Sequence, residues 1–400
     1  MARGESALSG IVILGAGYAG LAAALELDRH GIPFTLVNRE PYHTFKTLLH
    51  EVAGARHDPH TYALSLKELF HHPTSEIVIA EVKRLHLSDK LVETDHGKLA
   101  YDTLIVALGS RTATFGLPGV AEHTFRLDSL RAAMELHHHV EREIERYQQT
   151  ANPIHLRVLV AGGGLTGVEL MGEWADWLPK RLRERRLPLE DLRLGLIHAH
   201  AEILPDVDHE LRAVAQAKLV ERGVELILNE RVAGAEPQAY RLASGKRLEA
   251  GTLVWTGGVE APDLLKEAGL PVDARNRVDV NEFLMARGAD QVYVVGDCAR
   301  FTDAHGHVLP PTGQVAEQMG HHLGANLVRS AHGRPPLPFV YHDHGMVASL
   351  GPRYGVAEIG RHHATGATAL VLKDGSKMKY LMHLGGPVTL LKRYRQWLEI

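Results

Sequence analysis

The chain has 400 residues, 45% of them apolar and 23% charged, with a formal net charge of −4. This is the make-up of a globular chain long enough for two or three domains, and the weak negative balance offers no footprint for nucleic acid. A single cysteine, Cys298, excludes an intrachain disulfide, a redox-active cysteine pair and multi-cysteine sulfide chemistry, and fits a reducing compartment.

The first informative stretch is Ile11–Gly20, IVILGAGYAG. Four apolar residues read as a buried parallel strand and run into Gly15-x-Gly17-x-x-Gly20, after which 21–27 has helical composition. In a strand–turn–helix the first glycine permits the turn, the second lets a pyrophosphate approach, and the third lets helix and strand pack closely. The phosphates would lie at the helix N-terminus, within reach of its unpaired N–H groups. A second copy, VLVAGGGLTG at 158–167, places Gly162, Gly164 and Gly167 in the same three roles. Two dinucleotide sites in one chain are therefore expected.

Between the two copies, 33–37 reads as a second strand. Its end, where such folds place a ribose-binding acid, carries Asn38, followed by Arg39 and Glu40. Asn38 suits a ribose hydroxyl, and Arg39 a phosphate or adenine. Residues 42–53 are too irregular for a plain core helix. A strand is expected at 76–82, a short hairpin at 90–99, a buried strand at 101–110 and one long helix over 124–149.

In the second copy's helix, Glu169 and Glu173 are four residues apart and share a face. A charged insertion, 180–191, precedes the strand 193–197, whose end carries His198. An acid there would select NAD and a nearby arginine NADP. Neither is present, so NADH is the expected donor on the absence of a fixed cation, with NADPH as the alternative. Residues 253–258 read as a strand ending in glycines that returns the chain to the first domain. The strand 292–297 ends in Gly-Asp, and Asp297 suits sugar or ribityl hydroxyls. Thr312 is an expected N-cap for the helix that follows, from which Gln314 and Gln318 project on one face.

From 330 onward the composition changes to a small sheet, 345–350 with 356–360, and a tail. Over 371–400 six basic residues (Lys373, Lys377, Lys379, Lys392, Arg393, Arg395) face two acidic ones (Asp374, Glu399). Leu390, Leu391, Tyr394, Trp397 and Leu398 share one helical face, a pattern that suits an anionic membrane surface. No run of about 18 apolar residues exists, so no spanning helix is expected, and MARGESALSG lacks the apolar core of a leader. The histidine clusters at 71–72, 137–139, 321–322 and 362–363 lack metal-ligand spacing, so they read as surface histidines and no metal is expected.

Together these residues resemble the type II NADH:quinone oxidoreductases, single-subunit, non-pumping respiratory flavoproteins. The resemblance rests on LVNREPYHTFKTLLHEVAG (36–54), GGGLTGVELMGE (162–173), VWTGGV (254–259), VYVVGDCA (292–299) and PPTGQVAEQMG (310–320). VASLG (347–351) and YLMHLGG (380–386) add to it. It implies an α/β fold of two Rossmann-like dinucleotide-binding domains and a small C-terminal α+β membrane-associating region. The FAD domain, 1–120 with 260–329, would be discontinuous; the NAD(P)H domain, 121–259, would be inserted in it; the C-terminal region would be 330–400.

The family's roles carry over to matching positions. Gly15, Gly17, Tyr18, Ala19 and Gly20 look like the FAD pyrophosphate loop. Asn38, Arg39 and Lys46 look like further FAD contacts, and Asp297 like the ligand of the sugar and ribityl chain. Gly162, Gly164, Thr166, Gly167, His198 and Gly258 look like the nicotinamide nucleotide's site. Glu169 resembles the acid beside nicotinamide and flavin, while Gln314 and Gln318 resemble the quinone-site glutamines. Lys373 and Lys379 stand as weaker candidates near a quinone mouth, against the ordinary reading of solvated lysines. The implied reaction passes hydride from NADH to flavin N5 and two electrons to a membrane quinone. The implied location is the cytoplasmic face of the cell membrane, with peripheral attachment through the tail and a homodimer as one option for the assembly. Alternatives on the same fold are a reductase for a ferredoxin or another soluble acceptor and a non-catalytic FAD-binding redox sensor. The chain departs from the family's usual pattern in having His198 for the acid, Gly313 for alanine, Glu260 for a basic residue, and a short tail.

Overall fold

The computed structural model describes residues 10–398 except 71 and 74, with 388 and 392–398 as backbone only. The chain divides into two compact units. One comprises Met1–Thr44, Ala63–Arg111 and Val259–His342, the other Phe45–Tyr62, Thr112–Gly258 and Asp343–Ile400.

The first unit is built on a five-stranded parallel sheet. Its order is Val292–Val294, Thr103–Val106, Ile11–Leu14, Thr35–Asn38, Glu76–Ile79. Ile11–Leu14 and Thr103–Val106 are buried throughout, so apart from Thr103 at the start of the second they read as apolar runs rather than as alternation. The strand expected at 76–82 divides in two. Glu76–Ile79 joins the parallel sheet, and Val82–His86 begins a three-stranded antiparallel ribbon with Leu91–Thr94 and Gly97–Ala100. The helices Tyr18–Arg29 and Gly313–Ala331 approach closely through small residues. A Cβ on Gly320 would overlap the Ala19 carbonyl, and one on Gly324 would lie 3.0 Å from the Ala23 carbonyl oxygen.

His43 is buried in this unit. Its Nδ1–H donates to the Ala16 carbonyl at 2.8 Å, and its ring meets Tyr18 edge-on. Burial pushes its pKa down to about 4.

The second unit carries a four-stranded parallel sheet in the order Val224–Ile227, Arg193–Ile197, Arg157–Ala161, Thr252–Trp255. The long helix expected from residue 124 begins instead at Leu130. Phe125 is drawn into the sheet, donating to Leu253 and accepting from Trp255, and Ser129 caps the helix by accepting from Ala132 N–H at 3.1 Å. The stretch 180–191, expected as an insertion, starts inside a helix. Leu165–Glu184 runs through Pro179, and Arg181 and Arg185 bond Glu141 on Leu130–Thr150.

The expected small sheet is present, with a third strand: Met346–Ser349, Gly355–Ile359 and His362–Thr365, all antiparallel. The helix Ala367–Leu398 follows, broken by non-helical Gly385 and Gly386 ahead of Pro387. Among the described residues no helix is long and apolar enough to cross a membrane. Leu391 is exposed. The side chains of Lys392, Arg393, Tyr394, Arg395, Trp397 and Leu398, and Glu399 as a whole, lie outside the described residues.

His43 sets a pH signature. In the unfolded chain its imidazole protonates as pH falls through the ordinary 6.5, whereas the buried ring resists protonation down to about 4. Stability is therefore unaffected by this group above pH 6.5 and is lost on acidification across that window, by roughly 1.4 kcal/mol per pH unit. Urea midpoints measured from pH 7.5 to 4.5 should show the slope, and His43→Asn should remove this share of it.

Candidate functional site

In the first unit the strand Ile11–Leu14 delivers the chain into a loop whose glycines are required for different reasons. Gly15 has φ +97°, and a Cβ there would strike the Ala107 carbonyl; one on Gly20 would strike the Gly15 carbonyl. The protein's own packing demands both. Gly17 has nothing within 4 Å of where its Cβ would project. It is also the N-cap of Tyr18–Arg29, with no side chain capping the helix and no acid in the first turn. A close-approaching backbone before an uncapped helix start is what a pyrophosphate needs, so these residues fit the diphosphate of FAD.

The flanking candidates are distributed unevenly. Tyr18 packs on His43, and Ala19 is buried with its carbonyl against Gly320. Asn38 holds the loop itself: Oδ1 accepts from Ala16 N–H at 2.9 Å and Nδ2 donates to the Glu40 carbonyl at 2.7 Å. Arg39 is exposed beside Glu40. Lys46 is exposed and belongs to the second unit. Asp297 lies just beyond Val292–Val294 and its Oδ2 accepts from the Ser110 hydroxyl at 2.6 Å, while the Cys298 thiol donates to Gly109.

Thr312 caps Gly313–Ala331 by accepting from Val315 N–H. Gln314 and Gln318 both engage the extended stretch that ends this unit. Tyr341 donates its hydroxyl to Gln314 Oε1 at 2.5 Å. Gln318 pairs with the backbone of His342 in both directions, Nε2 donating at 2.8 Å and Oε1 accepting at 3.0 Å.

The second unit repeats the loop geometry. Gly162 has φ +124°, and a Cβ there would strike the backbone of Thr256. One on Gly167 would lie 2.7 Å from Thr256 Oγ1, while Gly164 faces open space and begins Leu165–Glu184 without a side-chain cap. Thr166 is exposed in the first turn. Gly258, at φ +154°, adjoins the Phe115 ring. His198 Nδ1 accepts from Gly163 N–H at 3.1 Å.

One turn into that helix is Glu169, buried. Its Oε1 accepts from Lys373 Nζ at 2.5 Å, from Ser349 N–H at 2.9 Å and from the Ser349 hydroxyl at 3.1 Å, and its Oε2 is 3.4 Å from His50 Nδ1. Lys373 Nζ also reaches His50 Nε2 at 3.3 Å. Burial works against the carboxylate's charge, but Lys373 and the Ser349 N–H hold the Glu169 carboxyl below its ordinary value. Burial takes His50 down to about 3, so its ring is neutral and able to accept on one nitrogen and donate on the other.

A second buried group adjoins the first. Glu51 accepts from Arg56 at 3.0 Å, Lys377 at 2.8 Å and the Tyr62 hydroxyl at 2.9 Å, and Arg56 forks between Glu51 and Glu173. Burial raises the Glu173 carboxyl to about 7 despite Arg56. For Glu51 burial is outweighed by Lys377 and Arg56, which hold it well below the carboxylate range. Three carboxylates are thus matched by three cations.

Sequence reading placed Glu169 and Glu173 on one face but did not bring Lys373 to them, taking it and Lys379 as solvated lysines. Lys379 is exposed; Lys373 is not. His50, Glu51, Arg56, Tyr62 and Lys377 were missed. The available signals were His50-Glu51 set among apolar neighbours and two lysines one helical turn apart.

A family model described as pyridine nucleotide-disulphide oxidoreductase matches residues 9–320. The type II NADH:quinone oxidoreductase of Staphylococcus epidermidis is 31% identical over 386 residues, covering 94% of this chain and 96% of that protein. The one from Staphylococcus aureus is 30% identical with the same coverage. Among solved structures, NDH2 from Plasmodium falciparum in complex with NADH matches at a TM-score of 0.89, with 19% identity and 97% of each chain covered. The sulfide:quinone oxidoreductase of Aquifex aeolicus matches at 0.75, with 18% identity over 93% of this chain and 90% of that one. The structural likenesses establish the fold, and the sequence likeness runs nearly end to end. The chain belongs to the type II NADH:quinone oxidoreductases, within the pyridine nucleotide-disulphide oxidoreductase family.

Proposed function

We propose that the protein is an FAD-dependent NADH:quinone oxidoreductase that transfers two electrons without pumping protons. The observation that carries this reading is the pair of glycine loops, each open only at its middle glycine, in a chain that matches type II enzymes over 94% of its length. The net reaction consumes NADH, one proton and a quinone, and yields NAD+ and a quinol.

FAD is assigned to the loop Gly15–Gly20, with segments 1–120 and 260–329 as its domain. NADH is assigned to Gly162–Gly167, with 121–259. FAD, when bound, supplies the carrier that accepts hydride from NADH and delivers electrons to the quinone. The chain's own residues bind, orient and move the proton. The glycine loops hold the pyrophosphates against helix N-termini. Asp297 is assigned to the sugar and ribityl hydroxyls, and Gln314 and Gln318 to the quinone. Glu169 is assigned to proton handling. Its contacts with Lys373, Ser349 and His50 support that role, because each joins it to a group that can pass a proton on.

Membrane association is proposed to be peripheral, through the C-terminal helix at the cytoplasmic face. Val371, Met382 and Leu391 are apolar and exposed along it, Lys379 is exposed, and Lys392, Arg393 and Arg395 follow in the sequence, whereas Lys373 and Lys377 are taken up by buried carboxylates. The protein should sediment with anionic phospholipid vesicles and be released by high salt. Retention in the supernatant at low salt would remove this part.

Purified protein should be yellow, bleach with NADH under anaerobic conditions, and regain colour on adding a quinone. In Gln318→Ala the bleaching should persist while recolouring slows. A colourless preparation that FAD cannot reconstitute would sink the reading, and equal loss of both steps would argue against a separate quinone role for Gln318.

Lys373→Met strands the buried Glu169 carboxylate. It should lower stability by about 3 kcal/mol and turnover by roughly a hundredfold, measured by denaturant unfolding and steady-state quinone reduction. Unchanged turnover across pH would detach Lys373 and Glu169 from proton handling.

A further inference from the structure

The nicotinamide loop and the FAD loop share a device at their strand ends. Asn38 accepts the N–H of Ala16, between Gly15 and Gly17. His198 accepts the N–H of Gly163, between Gly162 and Gly164, and the ring lies so close that a Cβ on Gly163 would be 2.7 Å from its Cγ. In both loops the residue where an acid usually holds the ribose is instead engaged in fixing the glycine turn.

His198 spends one ring nitrogen on this engagement. Nδ1 is occupied as an acceptor, so the ring hydrogen is on Nε2. Nε2 is buried and has no hydrogen-bond partner among the described residues, and as an N–H it can only donate. Neither ring nitrogen is available to accept a hydrogen bond from a ribose hydroxyl. Burial and the neighbouring His200 lower the ring's pKa, which keeps it uncharged. Two carboxylates lie near this strand end, Glu202 four residues on and Glu230, whose N–H donates to the His198 carbonyl, and each has a cation beside it: Arg212 at 3.0 Å from Glu202 and Lys246 at 3.9 Å from Glu230.

An acid at this position does two things. It accepts hydrogen bonds from the ribose hydroxyls of NADH, and it repels the 2′-phosphate of NADPH. His198 does neither. We propose that the nicotinamide site is indifferent to the 2′-phosphate and takes NADPH as readily as NADH, with His198 serving as the positioning residue of the glycine loop rather than as a ribose ligand. This rests on the oxidoreductase reading above and adds its donor specificity.

The test uses the flavin-loaded protein. kcat/KM is measured for NADH and NADPH with one quinone, and Kd for NAD+ and NADP+ by calorimetric titration. Both ratios should lie within about tenfold of unity. A preference for the unphosphorylated nucleotide greater than that, in either ratio, overturns the proposal. Should neither nucleotide be oxidised, the activity reading falls, and the two Kd values alone decide this inference. His198→Gln keeps a neutral acceptor for Gly163 N–H and should leave both ratios unchanged. His198→Glu should weaken NADP+ relative to NAD+ by about tenfold or more. An unchanged ratio in His198→Glu would also overturn the proposal, since charge at that position would then not matter.

Discussion

A carboxylate removed from water must find its cations inside the protein, and the second unit is arranged by that requirement. Glu51, Glu169 and Glu173 are all buried. Their partners come from distant stretches: Arg56 just beyond the helix Leu49–Ala53, and Lys373 and Lys377 from the helix Ala367–Leu398. Ser349, at the end of a strand in the small sheet, adds an N–H and a hydroxyl. Such a cluster contributes little net stability compared with a packed apolar core, because desolvation offsets most of the attraction. Its effect is on uniqueness: any arrangement that separates these stretches leaves a charge unpaired in a poorly polarisable interior, at a cost of several kcal/mol.

The same cluster places exchangeable protons around Glu169. His50, held neutral by burial, touches Glu169 through one nitrogen and Lys373 through the other. The contacts that satisfy the buried charges are therefore also those along which a proton can be handed on.

The parts of the fold governed by local rules could be read from the sequence. Four apolar residues followed by spaced glycines specify strand, turn and helix in each unit, and Thr312 announces a helix start. Parts governed by distant partners could not. Phe125 leaves the expected helix because the edge of the strand Thr252–Trp255 offers its backbone two hydrogen bonds. Residues 180–184 remain helical because Arg181 finds Glu141 on another helix. Lys373 reads as solvated because nothing within its own neighbourhood in sequence is a buried acid; Glu169 is some two hundred positions away. Likewise Asn38 and His198 invite a ligand role when only their place after a strand is known, and their bonds to Ala16 and Gly163 emerge only in three dimensions.

The break in the C-terminal helix separates two mechanical regimes. Lys373 and Lys377 precede Gly385 and Gly386, whose backbone angles (φ −150° and +67°) leave the helical range, and Pro387 follows. A continuous rod would carry any tilt or pull on its far end straight to the two ammonium groups. Here the rod is interrupted, and a break at two glycines ahead of a proline is a place where the axis changes direction instead of running on. The helix beyond Pro387 therefore does not continue the rod that carries Lys373 and Lys377, and the charge register around Glu169 is set by the segment before the break.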